Sequence, residues 1–169
     1  MDAKGYMQQQ FLAMRRLSAA AIDGTTDAQL NWTPPGQVHA IKGALVHLIA
    51  SEDRLIQSVI QGKPMLWASD GWGGRLGLGA APGMGQGWEE VAQTTLAVAP
   101  IQAYRQAVQA ATEAYLAALT PDELDRRVLF IRGEAPVAQV LSTIVVHVMG
   151  HAGEIAALKG LQGVKGLPF

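Results

Sequence analysis

Three of the four histidines in this chain have the spacing of a metal site. His147 and His151 are four residues apart, and His47 lies far upstream in another segment with helical periodicity. Side chains at positions i and i+4 project from one face of a helix, one turn apart. A third histidine can join them only from a neighbouring helix. Because neutral imidazole is a common ligand of divalent transition metals, the pattern predicts a metal site inside a helical bundle.

A histidine pair with this spacing can also arise by chance, or consist of hydrogen-bonded surface residues. His147 and His151, however, fall on the apolar stripe of their own predicted helix, where an imidazole without a partner is unfavourable. His47 borders the apolar face of its helix, which makes a three-point site plausible. The fourth histidine, His39, lies beside a Pro-Pro-Gly connector and is interpreted as a helix-start residue rather than a ligand.

Glu154 is the acidic residue with the best position to act beside the histidine pair. It lies three residues after His151 and seven after His147, hence near the same face. Three roles are open: a fourth ligand, an acceptor for an imidazole N–H, or a general base. A partly exposed charge near a helix end explains it equally well. Val148 follows His147, so the HExxH motif of zinc peptidases is absent.

Two further acidic residues follow His47 after about one helical turn. Glu52 and Asp53 can support a histidine ligand, or they can be solvated residues that pair with Arg54 or Arg16. The sequence leaves both interpretations open.

Four amphipathic segments must position these residues. They run from Ala3 to Ile22, from about His39 to Gln61, from Pro100 to about Leu119, and from Pro136 to the glycines Gly160 and Gly163. A few residues around 129–133 are expected to be extended, but no segment has convincing strand alternation. The pattern therefore predicts one all-α domain over residues 1–169, with the architecture of a four-helix bundle.

A glycine-rich stretch separates the second and third helices. Between Gly71 and Gly87, eight of the 17 residues are glycine, and Trp67, Trp72 and Trp88 flank or interrupt the run. Glycine this dense is not expected to hold a stable helix. One interpretation is a flexible insertion whose tryptophans pack against the bundle. The other is a lid over a small-molecule site, in which Trp67 and Trp72 line the pocket.

The composition excludes several classes of function. The 169 residues include no cysteine, so disulfides, thiolate ligands and a cysteine nucleophile are impossible. The 13 basic and 14 acidic side chains leave a formal net charge of −1 without a basic stripe, which argues against nucleic acid and membrane partners. No signal segment or long apolar run is evident. We expect a cytoplasmic homodimer that acts on a small molecule.

The motifs together resemble the DinB/YfiT-like superfamily of helical metalloenzymes. The matching elements are the Leu-Asn-Trp-Thr-Pro-Pro-Gly segment at 30–36, His47-Leu48 with Glu52, and His147 and His151 followed by Gly153, Ile155, Leu158 and Gly160. The resemblance implies an up-down-down-up bundle in which His47, His147 and His151 bind a divalent ion such as nickel or zinc. Relatives include thiol-dependent S-transferases and a mycothiol-dependent isomerase, which use bacillithiol, mycothiol or glutathione.

The chain departs from the family pattern in two places. The family often has His-Arg-Gly-Gln at the last ligand, where this chain has His151-Ala-Gly-Glu154, and the glycine-rich connection is longer than usual. The leading hypothesis is a metal-dependent transferase of low-molecular-weight thiols to small electrophiles, with Glu154 as the candidate catalytic residue. The alternatives are a non-catalytic dimeric bundle that binds a metal or small ligand, and a metal-dependent hydrolase.

Overall fold

Four long helices account for most of the fold. The structure, a computed structural model, describes residues 1–167. The helices are α1 Ala3–Ile22, α2 Asp27–Asn31, α3 Ile41–Asp53, α4 Leu66–Ser69, α5 Trp72–Leu76, α6 Trp88–Gln93, α7 Val98–Ala117, α8 Pro121–Asp125 and α9 Val137–Leu161. Strands β1 Arg127–Phe130 and β2 Gly133–Pro136 form an antiparallel hairpin. The four predicted long helices are therefore present in a mostly helical chain.

The long helices share one apolar core. α9 packs against both α1 and α3, and α3 also packs against α7. The side chains that interlock at its centre include Phe11, Met14, Leu45, Ile49, Ile101, Tyr104, Ile144 and Ile155. The pairing of α3 with α9 matters most for function, because these helices carry the three histidines. The up-down-down-up order of helix directions stays a prediction.

The second long helix changes its geometry at its C-terminal end. The α-helical part begins at Ile41 rather than His39, and residues Arg54–Ile60 continue it as a π-helix with a wider turn. Gly62, in the left-handed conformation, follows its end. Helical periodicity predicts one uninterrupted helix here. Short π-helical segments are uncommon and often lie at functional sites.

The glycine-rich stretch is more ordered than its composition suggests. The expectation that it holds no helix is wrong for α5, which contains Gly73 and Gly74 between the left-handed residues Gly71 and Gly77. A side chain at Gly73 would collide with the Trp67 indole, so glycine permits this close approach. Tertiary packing of the short helix thus outweighs the low helix propensity of glycine.

The hairpin corrects the expectation of an all-α chain. The extended residues predicted around 129–133 belong to a two-stranded sheet that extends further on both sides, with Val128 opposite Ala135. The turn is tight, and Ile131 adopts a positive φ of 51°. Because only Val128 and Ala135 of this hairpin are buried, its apolar alternation is too short to predict a strand pair. Pro136, the last residue of β2, is also the N-cap residue of α9.

Two adjacent carboxylates are buried in α3. The exposed fractions of Glu52 and Asp53 are 2% and 0%. Both terminal guanidinium nitrogens of Arg15 in α1 donate to Glu52, and the Thr112 hydroxyl in α7 donates to it over 2.7 Å. The charge of Glu52 is therefore compensated in the core. Neither interpretation drawn from the sequence describes it, since it is neither solvated nor in contact with a histidine.

Asp53 is held by a different set of donors. The N–H groups of Leu66 and Trp67 donate to its carboxylate over 3.0 and 2.9 Å, and the Tyr104 hydroxyl donates over 2.7 Å. Burial raises the pKa of Asp53, while these hydrogen bonds from Tyr104, Trp67 and Leu66 oppose the rise. The bonds join the end of α3 to α4 and α7. Because Asp53 accepts these bonds, it does not form the ion pair with Arg54 that the sequence suggested as one possibility.

The last helix is the most apolar. Among residues 1–167, only α9 has the length and hydropathy of a membrane span, with 39% of the relevant window buried. It packs extensively against α1 and α3, as the core helix of a bundle does. Such a core helix can have the same length and hydropathy as a membrane span. The expectation of no membrane partner stays a prediction.

The buried ion pair should contribute strongly to stability. Replacing the Glu52 carboxylate in Glu52→Gln leaves Arg15 without its anion, and we expect a loss of about 3 kcal/mol in the free energy of unfolding. Urea denaturation followed by circular dichroism measures this change. Glu113→Gln, which neutralises an exposed carboxylate on α7, should change the free energy by less than about 0.5 kcal/mol. Equal unfolding midpoints for the two variants would contradict the assignment.

Candidate metal centre

Three histidines converge where α3 packs against α9. One ring nitrogen each from His47, His147 and His151 lies within 4.8 Å of the others. The Nε2 atoms of His47 and His147 are 3.1 Å apart. His147 and His151 share a face of α9, and their ring centroids are 4.6 Å apart. The convergence that the spacing predicted is therefore present in the structure.

The separation of the ring nitrogens fits a shared metal ion. Metal–nitrogen distances of about 2.0–2.1 Å place neighbouring ligand nitrogens about 2.9–3.4 Å apart in octahedral or tetrahedral geometry. The distance of 3.1 Å between the His47 and His147 Nε2 atoms falls in this range. The other pairs of ring nitrogens lie within 4.8 Å. Three neutral nitrogen donors suit nickel or zinc and leave further coordination positions open.

Hydrogen bonds orient two of the imidazole rings. His47 Nδ1–H donates to the Pro82 carbonyl oxygen over 2.8 Å, and His151 Nδ1–H donates to Glu154 Oε2 over 2.7 Å. Because both acceptors bind the Nδ1 proton, the Nε2 lone pair of each ring is free for a ligand. This arrangement is usual for metal-binding histidines, whose second nitrogen donates to a carbonyl or a carboxylate.

The cluster favours neutral imidazoles. Burial, followed by the charges of His151 and His47, lowers the pKa of His147 to about 4. Burial also lowers the pKa of His47, although its hydrogen bond to Pro82 opposes the change. The positive charge of Arg54 contributes to both shifts. At neutral pH the His47 and His147 rings are therefore neutral, and each has one nitrogen with a lone pair, as metal binding requires.

The glycine-rich stretch covers one side of His47. Gly83 approaches so closely that an added Cβ would lie 3.4 Å from His47 Nδ1. Trp88, at the start of α6, packs on the other exposed part of the ring, with centroids 4.8 Å apart. His39 stacks on Trp88 at 4.2 Å and takes no part in the three-histidine cluster. Gly83, within the glycine run, and Trp88, directly after it, thus both cover His47.

Glu90 fastens this covering segment to α6. Its Oε1 accepts the Gly79 N–H over 2.8 Å, and its Oε2 accepts the Ala80 N–H over 3.2 Å. The hydrogen bonds from Gly79 and Ala80 hold the pKa of Glu90 below its usual range. Pro82 lies two residues after Ala80, so this clamp also restrains the backbone carbonyl that orients His47.

The other predicted site residues have different positions. Glu154 contacts His151 as an acceptor for its N–H, one of the three roles left open by the sequence. Trp67 and Trp72 pack on Tyr104, each with ring centroids 5.7 Å apart, and neither lines the pocket beside His47. The role of these two tryptophans in binding a cofactor stays a prediction. The tryptophan that contacts a histidine of the cluster is Trp88.

Sequence reasoning missed Pro82, Trp88, Glu90 and Arg54. Trp88 was identified only as a residue that flanks the glycine run. Arg54 had one available signal, because it lies seven residues after His47 and thus on the same helical face. The contacts of Pro82 and Glu90 depend on the path of an irregular segment, which has no periodicity to reveal it.

The fold and the cluster define a helical protein with a candidate three-histidine metal centre. The sequence profile of the DinB superfamily matches residues 10–155, and the chain belongs to that superfamily. Members of the superfamily often bind metal. No curated protein matches the chain.

A solved structure supports the same fold. The crystal structure of a conserved protein from Enterococcus faecalis aligns with a TM-score of 0.80, covering 95% of this chain and 97% of that one. The two sequences are 17% identical, so the likeness concerns the fold alone.

Removal of one ligand should abolish stoichiometric metal retention. We expect purified protein incubated with zinc or nickel, then dialysed, to retain the ion, and His147→Ala to lose it because a two-nitrogen site binds more weakly. Elemental analysis measures the bound metal. His39→Ala is the matched control, since it removes the one histidine outside the cluster. Equal metal contents in the two variants would contradict the site.

Loss of the Glu90 clamp should loosen the segment over His47. In Glu90→Gln, we expect several-fold faster hydrogen exchange of the Gly79 and Ala80 amides, measured by mass spectrometry. Glu89→Gln is the control, because Glu89 accepts a hydrogen bond from Gln93 on its own helix and none from Gly79 or Ala80. The carboxylate form makes the bonds and its pKa is lowered. The wild-type clamp is therefore present at neutral pH and lost on acidification below the usual carboxyl range. Unchanged exchange in Glu90→Gln would refute it.

Proposed function

We propose that this protein is a divalent-metal-dependent enzyme that transfers a low-molecular-weight thiol to a small electrophile. The observation that carries the proposal is the convergence of three imidazoles from two helices, one of which, His47, lines a small pocket. Membership of the DinB superfamily supports the metal. The resemblance of the motifs to thiol-dependent relatives supports the reaction class.

The histidines have a binding role in this proposal. His47, His147 and His151 would hold nickel or zinc through their ring nitrogens. Burial lowers the pKa of both His47 and His147, which favours the neutral, metal-binding form of these two rings. An ion with three neutral ligands keeps its full positive charge, which stabilises a thiolate far below its ordinary pKa. Gly83 and Trp88 keep water away from the His47 side. The chain contains no cysteine, so the reactive sulfur must come from a co-substrate.

Glu154 has two tasks in the proposal. Its Oε2 fixes the tautomer of His151. Its side chain is 32% exposed, so the carboxylate is also accessible to the proton that an incoming thiol releases. The proposal includes a cytoplasmic homodimer of up-down-down-up four-helix bundles, without nucleic acid or membrane partners. Trp67 and Trp72 support the pocket indirectly, through the short helices that follow Met65 at its wall.

Conjugation of a fluorogenic electrophile tests the function. Metal-loaded protein is mixed with monochlorobimane and one of several cellular thiols, and the fluorescent product is followed over time. We expect turnover that requires both metal and thiol. His147→Ala should abolish it, and Glu154→Gln should reduce the rate about tenfold to hundredfold, because residues that orient metal ligands have effects of this size. His39→Ala provides the matched control for loss of a histidine.

The alternatives give different results in the same experiment. Ester or amide cleavage without any thiol would show a hydrolase. Tight metal binding without turnover of any electrophile would indicate a non-catalytic binding protein. Either result would overturn the transferase proposal.

A further inference from the structure

A pocket of about 100 Å³ opens beside His47. His47, Ser51 and Arg54 line it from α3 and its π-helical continuation, and Met65, Met84 and Gln86 line the opposite side. Positions i, i+4 and i+7 share one helical face. The face that presents a metal-site histidine therefore also presents a hydroxyl and a guanidinium.

Arg54 lines the pocket without a carboxylate partner among the described residues. Its side chain is half-buried, and its Nη1 donates to the Met84 sulfur over 3.2 Å. A thioether is a weak acceptor that leaves the positive charge uncompensated. Within residues 1–167, no carboxylate forms an ion pair with it. Four other arginines each pair with an acidic side chain: Arg15, Arg105, Arg126 and Arg127.

The pocket has the size and chemistry for a small anionic group. No acidic side chain lines it, and its remaining polar groups are the Ser51 hydroxyl and the Gln86 amide. Met65, Met84 and Pro82 make the rest of the wall apolar. A space of about 100 Å³ is larger than a single water molecule needs, and a carboxylate with a short aliphatic stem is of a size to enter it. A planar guanidinium pairs with a carboxylate through two parallel hydrogen bonds.

We propose that Arg54 binds a carboxylate of the small molecule whose reactive atom meets the three-histidine cluster. The inference rests on the proposed function and names its substrate class: a thiol that carries a carboxylate a few bonds from the sulfur. Arg54 fixes the orientation of that molecule, so the sulfur is directed toward the Nε2 atoms of the histidines. Ser51 and Gln86 complete the hydrogen bonds to the second carboxylate oxygen.

Two thiols of equal length test the inference. Mercaptopropionate and mercaptopropanol differ only in the carboxylate, and neither can form a mixed disulfide with this cysteine-free chain. Each is titrated by calorimetry into zinc-loaded and metal-free protein. We expect the wild type to bind mercaptopropionate at least about tenfold more tightly than mercaptopropanol, because only the carboxylate can form a hydrogen-bonded charge pair with Arg54. Arg54→Gln should reduce this ratio to near unity without changing the affinity for mercaptopropanol.

Two further variants separate recognition from general electrostatics. Arg54→Lys keeps a positive charge but loses the paired donors, and should retain only part of the preference. Arg132→Gln removes an exposed charge in the hairpin turn and should keep the wild-type ratio. Equal affinities of the wild type for both thiols, or a preference that survives in Arg54→Gln, would overturn the inference.

The same titrations distinguish this inference from the proposed function. If zinc strengthens the binding of both thiols but no carboxylate preference exists, the metal-dependent function stands and the role of Arg54 is wrong. If an Arg54-dependent preference exists but zinc has no effect on either thiol, the carboxylate site stands and the thiol-metal function fails. Absence of binding by both thiols would overturn both.

Discussion

The position of His47 depends on two buried carboxylates that follow it in the same helix. Burying a carboxylate is strongly unfavourable unless hydrogen bonds and charge compensate it, and Glu52 and Asp53 each have such a set. Adjacent residues on a helix point about 100° apart, so the two carboxylates reach different neighbours. Glu52 joins α3 to α1 and α7, whereas Asp53 joins it to α4 and α7. Because a helix shifts or rotates as a unit, these contacts fix the register of His47 against α9, about one turn earlier.

The three histidines are supported by different parts of the molecule. His151 is oriented within its own helix by Glu154, an i to i+3 contact that needs no tertiary structure. His47 is oriented by the Pro82 carbonyl, which depends on the irregular segment after α5. The glycines of that segment permit its close path: a Cβ at Gly87 would lie 2.9 Å from the Ala80 carbonyl oxygen, and its φ is 73°. Glycine at positions 83 and 87 thus permits the close path of this segment, and Gly83 is the one that lies against His47.

The local features of the site could be predicted from the sequence, whereas those that depend on the path of loops could not. The pair His147 and His151 follows from helical spacing alone, and His47 follows from its place beside an apolar stripe. The burial of Glu52 and Asp53 was not predictable, because a charged pair on a helix is ordinarily solvated and its buried partners lie on other elements. The glycine-rich surroundings of Trp67 and Trp72 predict a place in the pocket wall, and that role stays a prediction. Their contact with Tyr104 depends on how α4 and α5 fold back, which no periodic pattern encodes.

The proposed metal binding and ligand recognition would use different surfaces that meet at His47. α9 supplies two of the three ring nitrogens of the cluster but does not line the pocket, whereas α3 supplies His47 to both and the face with Ser51 and Arg54 to the pocket alone. The rest of the pocket wall comes from Met65 and from residues between Ala81 and Gln86. A loop wall can change in length and side chains without disturbing the helices that it covers. Changes in this segment would therefore alter which molecule fits beside Arg54, whereas the packing of α3 on α9 would keep the geometry of the histidines.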